Sequence, residues 1–160
     1  MVSEREMLKS LDYRWLNQNR SVWLGMMIFG FVMAFVFHMI ELHRFLLTAL
    51  LFSFICFIFA IVYHIQSIYI VKNYKDYEKQ EVILNEAHIS FLFKLVYYRV
   101  EIKISETETK VLSTRPMWTS RYVIEKSNFK TQGYSNKTVY VAYDKKKDKV
   151  YVLGLKKEEN

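Results

Sequence analysis

The side chains best suited to bind an anion stand in and just after the segment STRPMWTSRY. Arginine forms paired hydrogen bonds with phosphate, lysine adds positive charge, and an indole ring offers a flat face on which a nucleobase can stack. Five residues of these types follow one another within a short stretch of chain. The sequence therefore predicts ligand-binding roles for Arg115, Trp118, Arg121, Lys126 and Lys130.

The arginines are the more informative cations, because from Lys72 onward the chain has 3 arginines against 15 lysines. Two of those three, Arg115 and Arg121, flank Trp118. Ordinary structural roles stay open for all of them. A tryptophan in a small β domain often packs in the core, and surface arginines often form ion pairs.

Residues for catalysis or metal binding are sparse in the same region. His88 is its only histidine, and the single cysteine of the chain, Cys56, lies upstream in an apolar run. A zinc site with several histidines is therefore excluded for one chain. Only Gly133 and Gly154 lie there, so no glycine-rich phosphate loop is present. We expect no catalytic residue, no metal, no cofactor and no enzymatic activity.

Two long apolar runs precede this region. No Asp, Glu, Lys or Arg occurs between Arg20 and Glu41, or between Arg44 and Lys72. A membrane-spanning helix needs about 20 mostly apolar residues. A secretory signal peptide fits poorly, because the first run is long, starts far from Met1, and is followed at once by a second run. The sequence predicts two transmembrane helices.

The short link between the runs predicts a helical hairpin with both chain ends on one side of the membrane. Lysines and arginines are frequent before Ser21 and after Val71, whereas the link contributes Arg44 alone. The positive-inside rule then places both termini in the cytoplasm. We expect a multi-pass protein of the cell inner membrane, in contact with the lipid bilayer.

Small and polar side chains form one stripe along the second predicted helix. Its members recur at steps of three and four residues: Ala49, Ser53, Cys56, Ala60, His64 and Ser67. Such stripes let helices approach closely in a membrane. Two interpretations stay open, packing within the hairpin and packing between protomers.

The remainder of the chain predicts a small β domain with a net charge of +6, from 18 basic and 12 acidic residues. Alternating apolar residues predict a strand over residues 98–105 and a short strand over 122–124. The segments TVYVAY and KVYVLGL flank a charged loop and predict a hairpin. A linker helix is expected to reach about Gln80, and residues 81–95 fit either helix or strand.

These elements predict an α+β membrane protein, in which an N-terminal transmembrane helical hairpin precedes a small β-rich cytosolic domain. The expected divisions are a cytosolic arm over residues 1–20, the hairpin over 21–72 and the basic domain over 73–160. About 80 residues form a marginally stable domain, which favours a homo-oligomer.

This layout resembles the small two-helix membrane effectors of bacterial cyclic-nucleotide antiphage defence. It is similar above all to the CRISPR-associated membrane proteins of type III systems that sense cyclic tetra-adenylate. The resemblance covers the whole chain as a layout and includes no diagnostic motif. It implies a ring of protomers, a tetramer, whose cytosolic domains bind a cyclic oligonucleotide and whose helices then perturb the membrane.

Two other functions are compatible with the same layout. A structural subunit of a membrane assembly, such as a secretion apparatus, would use the hairpin as an anchor and the β domain as a docking edge. An immunity protein against a membrane-active toxin is the third possibility.

Overall fold

The computed structural model describes residues 1–85, 87–89, 95–105, 108–118 and 137–156. The chain divides into two compact units, which we call the β unit (Met1–Trp15 with Val71–Asn160) and the helical unit (Leu16–Ile70). The helices are α1 (Glu4–Lys9), α2 (Leu11–Met39) and α3 (His43–Lys72). A 3₁₀ turn, Tyr74–Asp76, follows, and then the strands β1 (Glu78–Ile83), β2 (Ala87–Ile89), β3 (Leu95–Lys103), β4 (Thr109–Ser113), β5 (Met117–Trp118), β6 (Thr138–Asp144) and β7 (Lys149–Leu155).

Helices α2 and α3 are joined by a tight reversal at Glu41 and Leu42. Glu41 adopts a left-handed backbone conformation, with φ of 58°. The Leu42 N–H donates to the Phe37 carbonyl at 2.9 Å, and the Glu41 N–H donates to the His38 carbonyl at 3.2 Å. This is the Schellman pattern, which satisfies the last carbonyls of a helix while it turns the chain. The hairpin predicted from the apolar runs is therefore present as two long helices.

The stripe of small residues on α3 is buried inside this hairpin. Ser53 and Cys56 are fully buried, and Ala60 is almost so. The approach is closest at Gly30 of α2, where an added Cβ would lie 2.2 Å from the Ser53 hydroxyl oxygen. The sequence left two interpretations open, packing within the hairpin and packing between protomers. In the structure, the stripe packs within the hairpin.

The outer surface of the helical unit is apolar over its middle. Every exposed side chain between Val22 and Phe37, and between Ala49 and Val62, is apolar: it is either a hydrocarbon or that of methionine. Ser53, buried there, donates its hydroxyl proton to the Ala49 carbonyl at 2.9 Å, within its own helix. Both helices are long and apolar enough to cross a membrane.

The β unit contains two antiparallel sheets. One has the order β1-β6-β7. In the other, the long strand β3 pairs with β2 and β5 along its first half and with β4 along its second half. A glutamine side chain on β1 links the two sheets: the Gln80 amide donates to the Lys103 carbonyl at 2.7 Å and accepts from its N–H at 3.0 Å.

The core of the β unit lies between these sheets and includes the first residue of α2. Its buried apolar side chains alternate along the strands, as expected for sheets with one covered face. They are Leu11, Val82, Leu84, Val96, Tyr98, Val100, Ile102, Met117, Val139, Val141, Tyr143, Val150 and Val152.

The predicted β6–β7 hairpin is confirmed, with its charged turn at residues 145–148. The Asp144 carboxylate accepts from the Lys146 N–H at 3.0 Å and from the Lys147 N–H at 3.2 Å. The strand predicted over residues 98–105 is also confirmed in its main part, although β3 starts earlier, at Leu95, and ends earlier, at Lys103. The strand predicted over residues 122–124 lies outside the described residues.

The prediction of a linker helix to Gln80 was wrong. Helix α3 ends at Lys72, and β1 already begins at Glu78. Six residues of β1 pair in register with β6, which gives the β1 backbone hydrogen bonds that a helix would otherwise supply. Val82 then points into the core. In the ambiguous stretch over residues 81–95, none of the described residues is helical: 81–83 end β1, 84–85 lie outside the strands, 87–89 form β2 and Leu95 begins β3.

The close approach at Gly30 predicts that Gly30→Ala destabilises the helical unit. The new methyl group would meet both the Ser53 hydroxyl and, at 3.3 Å, the Ala49 carbonyl. Overpacking of this kind costs about 1–3 kcal/mol. The measurement is thermal unfolding of the full chain in detergent, followed by circular dichroism.

Gly25→Ala is the matched control, because nothing lies within 4 Å of a Cβ at Gly25. That exchange should leave the melting temperature equal or higher, since alanine is favoured over glycine in a helix by about 1 kcal/mol. Ser53→Ala should restore part of the loss in the Gly30→Ala background. Equal melting temperatures for the two alanine variants would contradict the close approach.

Candidate functional site

Of the five side chains predicted to bind a ligand, only that of Arg115 lies among those the structure describes. Trp118 forms β5 with Met117, and its backbone alone is described. Arg121, Lys126 and Lys130 lie outside the described residues. The ligand-binding roles of all five stay predictions.

The segment that carries Arg115 is an arch between β4 and β5, and strand β3 holds it at both ends. Before Arg115, the Thr114 N–H donates to the Tyr98 carbonyl at 2.9 Å, and the Tyr98 N–H donates to the Thr114 hydroxyl at 3.0 Å. After it, Met117 pairs with Val96. The position of Arg115 is therefore set by the pairing of its neighbours.

Arg115 donates to a buried carboxylate from the other end of the chain. Its Nε lies 3.2 Å from Oδ1 of Asp12, whose side chain has no exposed surface, whereas 22% of the Arg115 side chain is exposed. The second oxygen, Oδ2 of Asp12, accepts the Val152 N–H of β7 at 2.8 Å. One carboxylate thus joins the start of α2 to the arch and to a strand.

The chain places Asp12 through a capped turn between α1 and α2. The buried Ser10 hydroxyl donates to the Met7 carbonyl at 2.6 Å and accepts the Tyr13 N–H at 3.1 Å. It closes the first helix and caps the second, which is the role expected of serine at a helix start. Asp12 then lies in the first turn of α2, where the helix dipole favours a negative charge.

Burial raises the pKa of Asp12 to about 6, although Arg115 and the Val152 N–H both act to lower it. Desolvation outweighs the opposite charge because the carboxyl group has no contact with water. Burial also raises the pKa of Tyr151, which packs beside Tyr77 with ring centres 5.3 Å apart and is further raised by the charges of Asp144 and Asp12. The site is therefore a buried polar cluster with a titratable carboxyl group at its centre.

The described aromatic neighbour of Arg115 is Trp15, with the guanidinium carbon 5.6 Å from the centre of the ring system. Cation–π contacts of this kind occur within about 6 Å. Sequence reasoning missed both Trp15 and Asp12 and assigned them to a cytosolic arm. The one local signal is Ser10, a helix-capping residue just ahead of an acidic first turn.

Several lysines in the described part of the β unit form ion pairs with carboxylates at the protein surface. Lys79 donates to Glu6 at 2.5 Å, and this contact, with hydrogen bonds from Ser3, lowers the pKa of Glu6 to about 2. Four more pairs join the strands and turns: Lys110 with Asp148, Lys145 with Glu78, Lys146 with Asp76, and Lys156 with Glu81. Exposed pairs contribute little stability, and they leave the net charge of +6 from Lys72 onward unchanged.

No group of three or more potential metal ligands occurs in the part of the chain that the structure describes. The site therefore contains an arginine, Arg115, that is partly open to solvent. It donates to the carboxyl group of Asp12, which is able to take up a proton.

The raised pKa of Asp12 predicts that the free energy of unfolding falls as pH rises from 5 to 7. The folded state keeps the proton up to about pH 6, whereas the unfolded chain releases it near pH 4. The folded protein therefore binds more protons in this window, and linkage makes the loss about 1 kcal/mol. Denaturant titrations of wild type and Asp12→Asn at both pH values measure it, and the variant should lack this pH dependence.

Glu6→Gln is the control for this experiment. The pKa of Glu6 is lowered to about 2, so its stabilising contribution is lost only below about pH 4.5 and does not change between pH 5 and 7. That variant should keep the wild-type pH dependence. Equal pH dependence in wild type and Asp12→Asn would contradict the assignment to Asp12.

Comparisons of the chain with models of known protein families, with curated proteins and with solved structures find no match.

Proposed function

We propose that this chain is a membrane-anchored sensor and effector of antiphage defence. Its β unit binds a cyclic oligonucleotide, cyclic tetra-adenylate, and its helical hairpin then perturbs the bilayer. The protein resides in the cell inner membrane with both termini in the cytoplasm and works as a homo-oligomer, a tetramer. The observation that carries the proposal is the Arg115–Asp12 pair, because it joins an arginine suited to phosphate with the first turn of an apolar helix of membrane-spanning length.

The anchoring part of the proposal is supported by the surface of the helical unit. Its middle exposes apolar side chains alone, among them Phe29, Phe31, Phe35, Phe54 and Phe57. A contiguous apolar surface of this extent is unfavourable in water and favourable in lipid. The small residues of the α3 stripe, which would interrupt such a surface, are buried.

The sensing part is supported by the position and exposure of Arg115. Its Nε donates to Asp12 at 3.2 Å, and about a fifth of its side chain reaches solvent. A phosphate group accepts from arginine more strongly than a neutral acceptor does. The predicted partners Trp118 and Arg121 follow it within six residues.

A docking subunit of a membrane assembly is the second candidate. Strand β4 lies at the end of its sheet order, and four of its five residues are exposed. Val111, at its centre, is 58% exposed. An exposed strand of this kind can pair with a strand of another protein. Capture of an assembly subunit without response to any cyclic oligonucleotide would favour this candidate.

Binding of cyclic tetra-adenylate to the purified full chain in detergent tests the sensor directly. We expect a rise in melting temperature and a dissociation constant that weakens with salt, because basic side chains neutralise the phosphates. Arg121→Ala should weaken binding about tenfold, since a charge-assisted bond contributes about 1.5–3 kcal/mol. Trp118→Ala should do likewise if its ring stacks on a base.

Lys156→Ala is the matched control, because it removes an exposed lysine that is paired with Glu81. It should bind like wild type. If Trp118 packs in the core instead, Trp118→Ala would lower stability by about 3–5 kcal/mol, and Arg121→Ala would have little effect. A folded wild-type chain that does not bind cyclic tetra-adenylate would refute the sensor.

The proposed topology predicts the pattern of cysteine labelling in intact cells. Ser3→Cys and Asn160→Cys should resist a membrane-impermeant maleimide, because both termini are cytoplasmic. Glu41→Cys, in the reversal between α2 and α3, should react. Wild type is the background control, since its lone Cys56 is buried. Efficient labelling at either terminus from outside would contradict the topology.

A further inference from the structure

The carboxylate of Asp12 accepts hydrogen bonds from two other segments of the chain. Only one of these two contacts can break without disrupting a strand. Oδ2 accepts a backbone N–H of β7 at 2.8 Å, and Oδ1 accepts Nε of Arg115 at 3.2 Å. The first contact is fixed by the pairing of β7 with β6. The second belongs to a side chain that reaches solvent.

Removal of Arg115 from this pair would leave a charged carboxylate in a dry environment. A buried charge without a partner is strongly unfavourable, and a carboxyl group in this situation binds a proton instead. The groups that face the Asp12 carboxyl are Arg115, the Val152 N–H, the backbone N–H of Asp12 itself and, on β7, the Tyr151 side chain. Burial already raises the pKa of Asp12 to about 6 with Arg115 in place. The loss of Arg115 can only raise it further.

Resting on the proposed function, we propose that Arg115 exchanges its acceptor when the ligand binds. A phosphate diester of the ligand replaces Asp12 as the acceptor of the guanidinium group, and the Asp12 carboxylate takes up one proton from solvent. The neutral Asp12 keeps its contact with the Val152 N–H through Oδ2. No electron transfer and no further reactant are needed.

The exchange gives the sensor a way to act on α2. In the free protein, the ion pair ties the arch between β4 and β5 to the first turn of that helix. After the exchange, the arch contacts the ligand, and the turn keeps its bond to β7 and the packing of Leu11 in the core. Asp12 is thus a positioning residue, since it holds Arg115 in place and does not itself contact the ligand.

Calorimetry of the full chain in detergent at pH 7 tests the exchange through its proton. Cyclic tetra-adenylate is titrated in two buffers of different ionisation enthalpy, and the difference gives the protons taken up. Wild type should take up about one proton per bound site. Asp12→Asn keeps an oxygen for the Val152 N–H but cannot be protonated, so it should bind several-fold more tightly with no uptake. Asp148→Asn, which removes an exposed carboxylate paired with Lys110, should behave like wild type.

A second titration with dimethyl phosphate, a diester without a base and without a proton that titrates at pH 7, separates this inference from the proposed function. If cyclic tetra-adenylate binds without proton uptake, the exchange is refuted and the sensor stands. If only dimethyl phosphate causes uptake that is lost in Asp12→Asn, the exchange stands and the proposed ligand is wrong. If neither compound causes uptake in wild type, the exchange is refuted. Uptake that persists in Asp12→Asn also refutes it.

Discussion

The burial of one carboxylate, that of Asp12, is the constraint on which the arrangement of the β unit depends. A charge enclosed by protein is tolerated only where hydrogen bonds and an opposite charge replace the lost water. Here the replacements come from two distant parts of the chain, the arch that carries Arg115 and the Val152 N–H of β7, and both meet the first turn of α2. Each of these parts is held in turn by its own contacts, so the carboxylate fixes their mutual register.

The exposed ion pairs of the same unit have a different role. Lys79 with Glu6 and Lys145 with Glu78 join segments that are already close in space, and water screens both pairs. Their loss would change the net charge more than the fold. The Asp12–Arg115 pair cannot be treated this way, because the removal of Arg115 would take the opposite charge from a fully buried carboxylate. Among the ion pairs of the described residues, this difference in burial makes the internal pair the candidate for transmitting the proposed signal.

The elements whose structure depends on a local sequence pattern could be predicted from the sequence. The elements whose structure depends on pairing with a distant segment could not. The alternation in TVYVAY and KVYVLGL predicted the β6–β7 hairpin, and the gaps in charge predicted α2 and α3. Strand β1 has the sequence EKQEVI, whose first four residues have no preference for strand, and its partner β6 begins more than fifty residues away. The Asp12–Arg115 contact spans 103 residues, so no local spacing could reveal it. The stripe from Ala49 to Ser67 shows the intermediate case, because its pattern predicted close packing but could not identify the partner helix.

The helical unit limits how the proposed effector could act on a bilayer. Its middle carries two polar side chains, Ser53 and Cys56, and both face the other helix of the hairpin. The Ser53 hydroxyl is further satisfied by the carbonyl of Ala49, so it has no need of water. A hydrated path requires polar groups along its wall, and this closed hairpin offers none between Ala49 and Val62. The same geometry brings the two helices so close at Gly30 that one added methyl group would meet Ser53. An effector built on this hairpin would therefore have to separate α2 from α3 before Ser53 and Cys56 could meet water.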